Sequence, residues 1–442
     1  MSTLARTLRF RDLLFLFVGA VIGSGIFLTP GIVLRQVGGS VGVFVLAWIV
    51  GGVLSLMGAL TYAELAARYP EAGGLYCYIR DGFGRLPAFL YGWSLFLVIS
   101  SGSIAALARA FSRYLGELVP LSPTRSTVVA VLMIGALTLV NVRSTRKSSN
   151  LQNWTTLTKV ALVILLGVVL LALGRHSVDL RPALGVTQHG VPLFSHFGLA
   201  MISVLWAYEG WQFGTYSAGE VVDPQKNFPR AFLAGSLILI GLYVFVVIAF
   251  LVALGPTSAA ASEAIAASSV AAVLGPWARQ IISFTILIAT FSAANATLLT
   301  ASRVFFAMAR DNCFFRQLGE VDPQLQTPAS AVMALGVWSA VLACAGGFTE
   351  LIGGVVFVGW IFYGLAAASI FPIRRAASVK KLPYHVPGYP WTPILFVLAA
   401  ATLVGNAVYL ALHDPKGFIH IAIAISLFVF GLPAYFFWRR RA

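Results

Sequence analysis

Gly19-Ala20-Val21-Ile22-Gly23-Ser24-Gly25-Ile26-Phe27-Leu28-Thr29-Pro30-Gly31 decides how this chain folds. It lies in the first long apolar run, at a depth where an unbroken membrane helix would carry Leu or Val. Two glycines flank a serine there. Glycine reaches backbone angles that strain other residues, so the helix can unwind. Unwinding frees amides and carbonyls, which are costly in hydrocarbon unless something pairs with them. The half-helix starting near Ile26 presents amides and the positive end of its dipole, which suits a carboxylate. The half-helix ending near Val21 and Ile22 presents carbonyls, which suit an ammonium group. One break thus accommodates both ends of a zwitterion. Close packing by small residues is the commoner reason for glycine in membrane helices. A second interruption argues for a site: Trp206-Ala207-Tyr208-Glu209-Gly210-Trp211-Gln212-Phe213-Gly214, five spans further on.

Around these two stretches the chain is apolar. Of its 442 residues, 59% are hydrophobic and 10% charged, too little charge to cover a soluble domain of this size. Runs at 160–174, 237–254 and 419–437 are nearly free of charge. At about 1.5 Å per helical residue they cross an apolar slab of roughly 30 Å, the shortest with help from its flanks. Lipid permits helices or closed barrels, and these runs lack the alternation of barrel strands. Length and flanking charge predict about twelve spans, at 11–37, 41–68, 86–116, 126–142, 151–174, 195–219, 230–255, 277–309, 328–346, 350–373, 391–412 and 418–438. The chain, 1–442, is read as one all-α polytopic membrane transporter domain. The breaks lie five spans apart and five is odd, so 11–174 (helices 1–5) and 195–373 (helices 6–10) are expected as two repeats of opposite orientation, with 391–438 adding helices 11 and 12. That is a leucine-transporter-like 5+5 inverted repeat, with helices 1 and 6 discontinuous. Segment 73–85 is amphipathic and is expected along the cytoplasmic face. Segment 255–276, rich in Ala and Ser, is expected to form a short helix over the outer face.

The formal net charge of +15, taken alone, suits nucleic acid. Its distribution argues against that partner. Arg6, Arg9 and Arg11; Arg68, Arg80 and Arg85; Arg143, Arg146 and Lys147; Lys226 and Arg230; Arg310 and Arg316; Arg374, Arg375, Lys380 and Lys381; and Arg439, Arg440 and Arg441 occupy every second gap. The other gaps hold Arg125, Arg175, Arg181 and Lys416. This positive-inside bias predicts a multi-pass cell-membrane protein with both termini in the cytoplasm. Cys77, Cys313 and Cys344 make neither a disulfide framework nor a zinc spacing. No cofactor or metal is expected. No small-residue cleavage site follows the first apolar run, so that run is read as retained.

Further residues qualify for the site. Glu209 is the one carboxylate placed near mid-membrane, and an intramembrane ionisable group is a functional candidate by default. It either carries a proton, attracts a cationic group, or merely faces water in a vestibule. Lys159, roughly 12 Å into the fifth span, is either a fixed cation in place of a bound metal ion or a side chain snorkelling to the inner face. Among Trp206, Tyr208, Trp211 and Trp360, Trp206 is the candidate gate over a small ligand. Ser292, Asn295 and Thr297 either line the pocket or join helices by hydrogen bonds. Gly38-Gly39-Ser40-Val41-Gly42 fits a nucleophile elbow but sits in a short loop between spans. Asn153-Trp154-Thr155 and Asn295-Ala296-Thr297 fit a glycosylation pattern but lie inside spans. None of the six histidines belongs to a zinc motif, and nothing points to an enzyme.

These residues together resemble the amino acid–polyamine–organocation superfamily, and within it the L-type amino acid transporter branch in a prokaryotic, light-chain-like form. The string Gly19 to Gly31 is the most specific match. Trp206 to Trp211 also fits, as do Glu220 with Pro224, Lys226, Asn227, Pro229 and Arg230. So do Ser302-Arg303-Val304-Phe305-Phe306, Tyr363-Gly364 and Arg374. The resemblance implies sodium-independent obligatory exchange of amino acids. By position it implies that Ser24, Gly25 and Ile26, beside Gly23, meet the substrate carboxylate. Carbonyls of Val21, Trp206 and Glu209 would meet the α-amino group, with Ile22, Ala207, Tyr208 and Gly210 completing the two breaks. It implies that Lys159 fills the place of a sodium ion and that Tyr243 steadies the unwound first helix. Two departures stand out. Several relatives carry a small residue at the Glu209 position, which leaves a dibasic substrate open. The loop 117–125 has no cysteine, so no disulfide-linked ancillary subunit is expected.

The resulting expectation is an amino acid antiporter working by alternating access in the lipid bilayer, for neutral L-amino acids. A proton-coupled symporter using Glu209 or Glu64, or a carrier of cationic amino acids or polyamines, is the alternative. A polar-lined channel and an embedded enzyme are more distant readings.

Overall fold

The computed structural model describes residues 4–178, 193–345, 348–376, 384–413 and 415–439. Arg181, Lys380, Lys381, Arg440 and Arg441, used above for orientation, lie outside them.

The described residues are helical, apart from one isolated bridge between Leu8 and Val221. The first span is two helices, α1 (Phe10–Val21) and α2 (Gly25–Gln36), bent by 45°. There follow α3 (Val41–Arg68), α4 (Leu75–Phe83), α5 (Arg85–Ser94), a π-turn at Leu95–Ile99 and α6 (Ser100–Gly116). Next come α7 (Pro123–Arg143), α8 (Thr145–Leu173) and α9 (Leu193–Ala207), which a 3-10 segment, Trp211–Glu220, continues. Then come α10 (Pro224–Leu254), α11 (Pro256–Ala261), α12 (Ile265–Leu274), α13 (Arg279–Arg310), α14 (Ala329–Ala345), α15 (Phe348–Ala368), α16 (Ile370–Ala376), α17 (Trp391–His413) and α18 (Pro415–Arg439). Among the described residues seven helices are long and apolar enough to cross a membrane, or eight if α1 and α2 count as one bent span. Outward faces such as Leu132, Leu139 and Val128 on α7, and Leu165 and Val168 on α8, are exposed and apolar, as a bilayer requires.

Two helices begin before their apolar stretch because serines cap them. Ser122 Oγ accepts from Arg125 N at 3.4 Å and Ser144 Oγ from Lys147 N at 3.3 Å, satisfying amides that have no intrahelical partner. The fourth and fifth spans therefore start at Pro123 and Thr145 rather than at 126 and 151. The predicted outer helix at 255–276 is two helices, α11 and α12, parted at 262–264. Segment 73–85 is not confined to a surface. Leu75, Tyr76, Cys77, Tyr78 and Ile79 of α4 are buried, and Gly73 N donates to Tyr216 O at 3.0 Å. The amphipathic pattern faces the protein's own interior, beneath the second break.

Candidate functional site

The two interruptions touch. A Cβ on Gly25 would stand 2.6 Å from Ala207 Cα, and one on Gly210 would stand 2.8 Å from Ala20 O. Gly210 has φ 119°, which a side chain rarely tolerates. Gly23 and Gly25 are not in that region, and Gly23 has room for a methyl, its nearest neighbours lying at 3.7 Å. The conformational freedom expected of Gly23 and Gly25 is thus used at Gly210. Gly25 serves the close approach of α2 to α9.

Polar side chains hold the loosened backbone. Lys159 is fully buried, and its Nζ donates to Gly19 O at 2.5 Å and Ile22 O at 2.7 Å. Its ammonium is inside the bundle on the carbonyl end of α1, so snorkelling does not describe it. Tyr243 Oη stands 3.1 Å from Val21 O and 3.0 Å from Ala207 O, bridging the two breaks. Its ring packs on Tyr208 and, edge-on, against Trp48, and Tyr208 Oη donates to Trp48 O at 3.2 Å. Two of the carbonyls that the sequence offered to an ammonium, Val21 O and Ile22 O, thus already receive protein donors.

A cavity opens where the breaks meet. Ala20, Val21, Gly23, Ser24, Gly25, Trp206 and Glu209 line it, together with Ser103, Leu107, Phe213, Ala293 and Thr297. Ser24 Oγ is buried and has no hydrogen-bond partner among the described residues. The start of α2 adds amides without intrahelical partners and a positive dipole end. Glu209 Oε1 accepts from Gln212 Nε2 and from Tyr363 Oη, each at 2.6 Å, so its carboxylate is held rather than free in a vestibule. Trp206 is half-buried at the wall. The site therefore offers amide donors and the Ser24 hydroxyl at one edge, a carboxylate at another, and small or apolar side chains between.

Other candidates lie elsewhere. Ile22 and Ile26 are fully buried and, with Ala207, Tyr208 and Gly210, do not line the cavity. Ser292 and Asn295, for which pocket lining and helix joining were both open, are not among the residues that line this cavity. Asn295 accepts from Asn141 Nδ2 at 3.0 Å and donates to Gln152 Oε1 at 3.0 Å. Ser292 pairs with Gln152 and Thr155. They join α7, α8 and α13, the helix-linking role weighed for them. Ser103, Leu107, Phe213 and Ala293 were missed. The run Ser100-Ser101-Gly102-Ser103, polar and small inside an apolar span, was the available signal.

At the end bearing the Arg-rich gaps, buried carboxylates tie helices together. Glu220 accepts from Arg303 at 2.8 and 2.9 Å and from Thr145 at 3.0 Å. Glu64 accepts from Arg68 and Val386 N and pairs with Arg374. Asp12 accepts from Arg146 at 2.9 Å and Asn153 at 2.6 Å. Among the described residues no cluster of three or more His, Cys, Asp or Glu could hold a metal.

With this geometry established, a family model described as amino acid permease matches residues 8–434. The chain belongs to the amino acid permease family. It is 32% identical over 438 residues to the large neutral amino acids transporter small subunit 2 of Oryctolagus cuniculus, covering 96% of this chain and 79% of that protein. It is 29% identical over 432 residues to the serine/threonine exchanger SteT of Bacillus subtilis, covering 96% and 95%. It is 31% identical over 396 residues to the b(0,+)-type amino acid transporter 1 of Mus musculus, covering 88% and 80%. This permease is accordingly a multi-pass membrane protein of a transporter family and not of an enzyme family.

Proposed function

We propose that this permease is an antiporter that exchanges neutral L-amino acids by alternating access, without sodium. The observation that carries the reading is the contact of two helix breaks around one cavity, whose wall Ser24 and Gly25 share with Trp206 and Glu209. In this reading the substrate carboxylate takes the amides of Ser24, Gly25 and Ile26 and the Ser24 hydroxyl. The α-amino group takes carbonyls of Val21, Trp206 and Glu209. A carbonyl has two lone pairs, so Val21 O accepts from substrate and Tyr243 together. Lys159 Nζ donates to the carbonyl end of α1, the place a bound cation would otherwise occupy. Trp206 closes over the ligand.

The names of the relatives, one an exchanger of serine and threonine and another a transporter of large neutral amino acids, support the substrate class. The 5+5 inverted repeat, cytoplasmic termini and lack of a disulfide-linked subunit belong to the same proposal. The test is uptake of labelled serine or leucine into proteoliposomes. Exchange requires an amino acid inside the vesicle. Accumulation in empty vesicles under a pH gradient would contradict it.

Glu209 favours a second reading. A carboxylate on the cavity wall suits a proton-coupled cycle or a cationic side chain. A competition screen with lysine and arginine beside neutral amino acids, across pH, separates the two.

A further inference from the structure

A second cavity, of about 470 Å³, lies at the junction of the α13–α14 connection and the end of α18, lined by Asn312, Phe314, Phe315, Arg316 and Trp438. Its walls follow from a helix ending. Cys313 N donates to Met308 O at 2.9 Å and Asn312 N to Ala309 O at 3.1 Å, with Asn312 at φ 57°. This left-handed helix cap turns the chain back on itself. Phe314 and Phe315 are thereby thrown against Trp438, with ring centroids 5.4 and 5.1 Å apart. Phe89 and Trp93 of α5 pack on the same indole at 6.0 and 6.3 Å.

One arginine lines the cavity and two more stand close to its wall in the chain. Arg316 lines the cavity and is exposed. Arg85 stands one turn before Phe89. Burial raises the Cys313 thiol, and Arg85 is near enough to oppose that rise. Arg439 follows Trp438. Among the described residues none of these three guanidiniums has an acidic partner, whereas the nearby Asp311 is held by Arg80 at 2.9 Å. Trp438, next to the last residue of α18, lines the cavity, and α5 packs behind its indole through Phe89 and Trp93. Phe430, Phe436 and Phe437 of α18 are exposed on an apolar helix, which directs them to lipid. The cavity thus sits at the border of the apolar band, where aromatic and basic side chains meet headgroups.

We propose that this cavity is a headgroup site for an anionic phospholipid. The phosphate pairs with Arg316, with Arg85 and Arg439 at the rim, and an acyl chain lies along Phe315 and the exposed aromatic face of α18. Free phosphate would explain the arginines but not the aromatic wall, and a zwitterionic lipid would leave the unpaired positive charge uncompensated. The site is independent of amino acid exchange.

The experiment equilibrates the purified full-length protein with phosphatidylglycerol or phosphatidylcholine and counts retained lipid by native mass spectrometry. Phosphatidylglycerol is expected to be retained over phosphatidylcholine. Arg316→Ala should weaken retention about fivefold, the effect of one basic group near an anionic headgroup. Trp438→Leu should weaken it as well. Arg125→Ala, on the first turn of α7 away from this site, should leave retention unchanged. Arg316→Lys keeps the charge and should restore binding if Arg316→Ala folds poorly. Equal retention of the two lipids, no effect of Arg316→Ala in folded protein, or full displacement by inorganic phosphate would each overturn the proposal.

Discussion

Lys159 shows how one side chain can hold a backbone break. Its ammonium is buried and paired with two carbonyls rather than a carboxylate. Replacing it by Ala leaves Gly19 O and Ile22 O without these donors, at about 1–3 kcal/mol for each buried group left unpaired. The expected result is a lower melting temperature by thermal shift together with slowed exchange in proteoliposomes; unchanged exchange would make the pairing purely structural. Gly25 and Gly23 make a contrasting pair. Gly25→Val drives side-chain atoms into Ala207, whose Cα is 2.6 Å from the Cβ position, and should abolish exchange. Gly23→Ala meets nothing closer than 3.7 Å and should retain most of it. If both variants transport alike, the close approach of α2 to α9 at Gly25 is not needed for exchange. Glu209→Gln should keep the bond from Tyr363 while removing the negative charge. Lysine should then compete less well against a labelled neutral substrate, and an unchanged competition profile would leave Glu209 without a role in selectivity.

At the scale of elements, the two broken helices behave as one unit because Tyr243 spans them. Its hydroxyl reaches both Val21 O and Ala207 O, one carbonyl at each break. Tyr243→Phe removes a hydrogen bond with a net value of about 0.5–1.5 kcal/mol, so the melting temperature should move only a few degrees. Exchange should fall much further, since α1 and α9 lose their common anchor. Equal small losses in both measurements would reduce Tyr243 to packing. The breaks themselves were legible from glycine and polar residues at mid-depth, and their boundaries fell close to those read from the chain. The reason assigned to Gly23 and Gly25 was not legible. Sequence shows that glycine stands at a position; whether it serves φ or close approach depends on what lies across from it.

Over the whole molecule, buried ion pairs fasten the end that carries the Arg-rich gaps. Arg303 and Glu220 are 0% and 1% exposed. Removing one partner of such a pair leaves an uncompensated buried charge and costs about 3–5 kcal/mol. Glu220→Gln should therefore lower the melting temperature and the yield of folded protein sharply, as read by size exclusion and thermal shift. The exposed pair of Arg80 with Glu71, whose carboxylate is 48% exposed, should matter by no more than about 1 kcal/mol. Glu71→Gln is the matching control. Similar losses from both variants would contradict the distinction drawn from burial.

Hydropathy and the distribution of charge were enough to read the helical class and the two interrupted helices, because lipid forces every backbone group to be satisfied within a helix and leaves few alternatives. They were also enough to nominate Ser24, Trp206, Glu209 and Lys159, since polar and glycine residues at mid-depth are costly without a purpose. What they left undecided is which groups share a space. Tertiary packing alone put Ser103, Leu107, Phe213 and Ala293 on the cavity wall, sent Ser292 and Asn295 into a helix-joining network, and turned Lys159 inward onto the carbonyls of α1. Those outcomes depend on the rotation of each helix about its axis and on contacts between residues more than a hundred positions apart, and neither quantity is encoded in any local stretch of the chain.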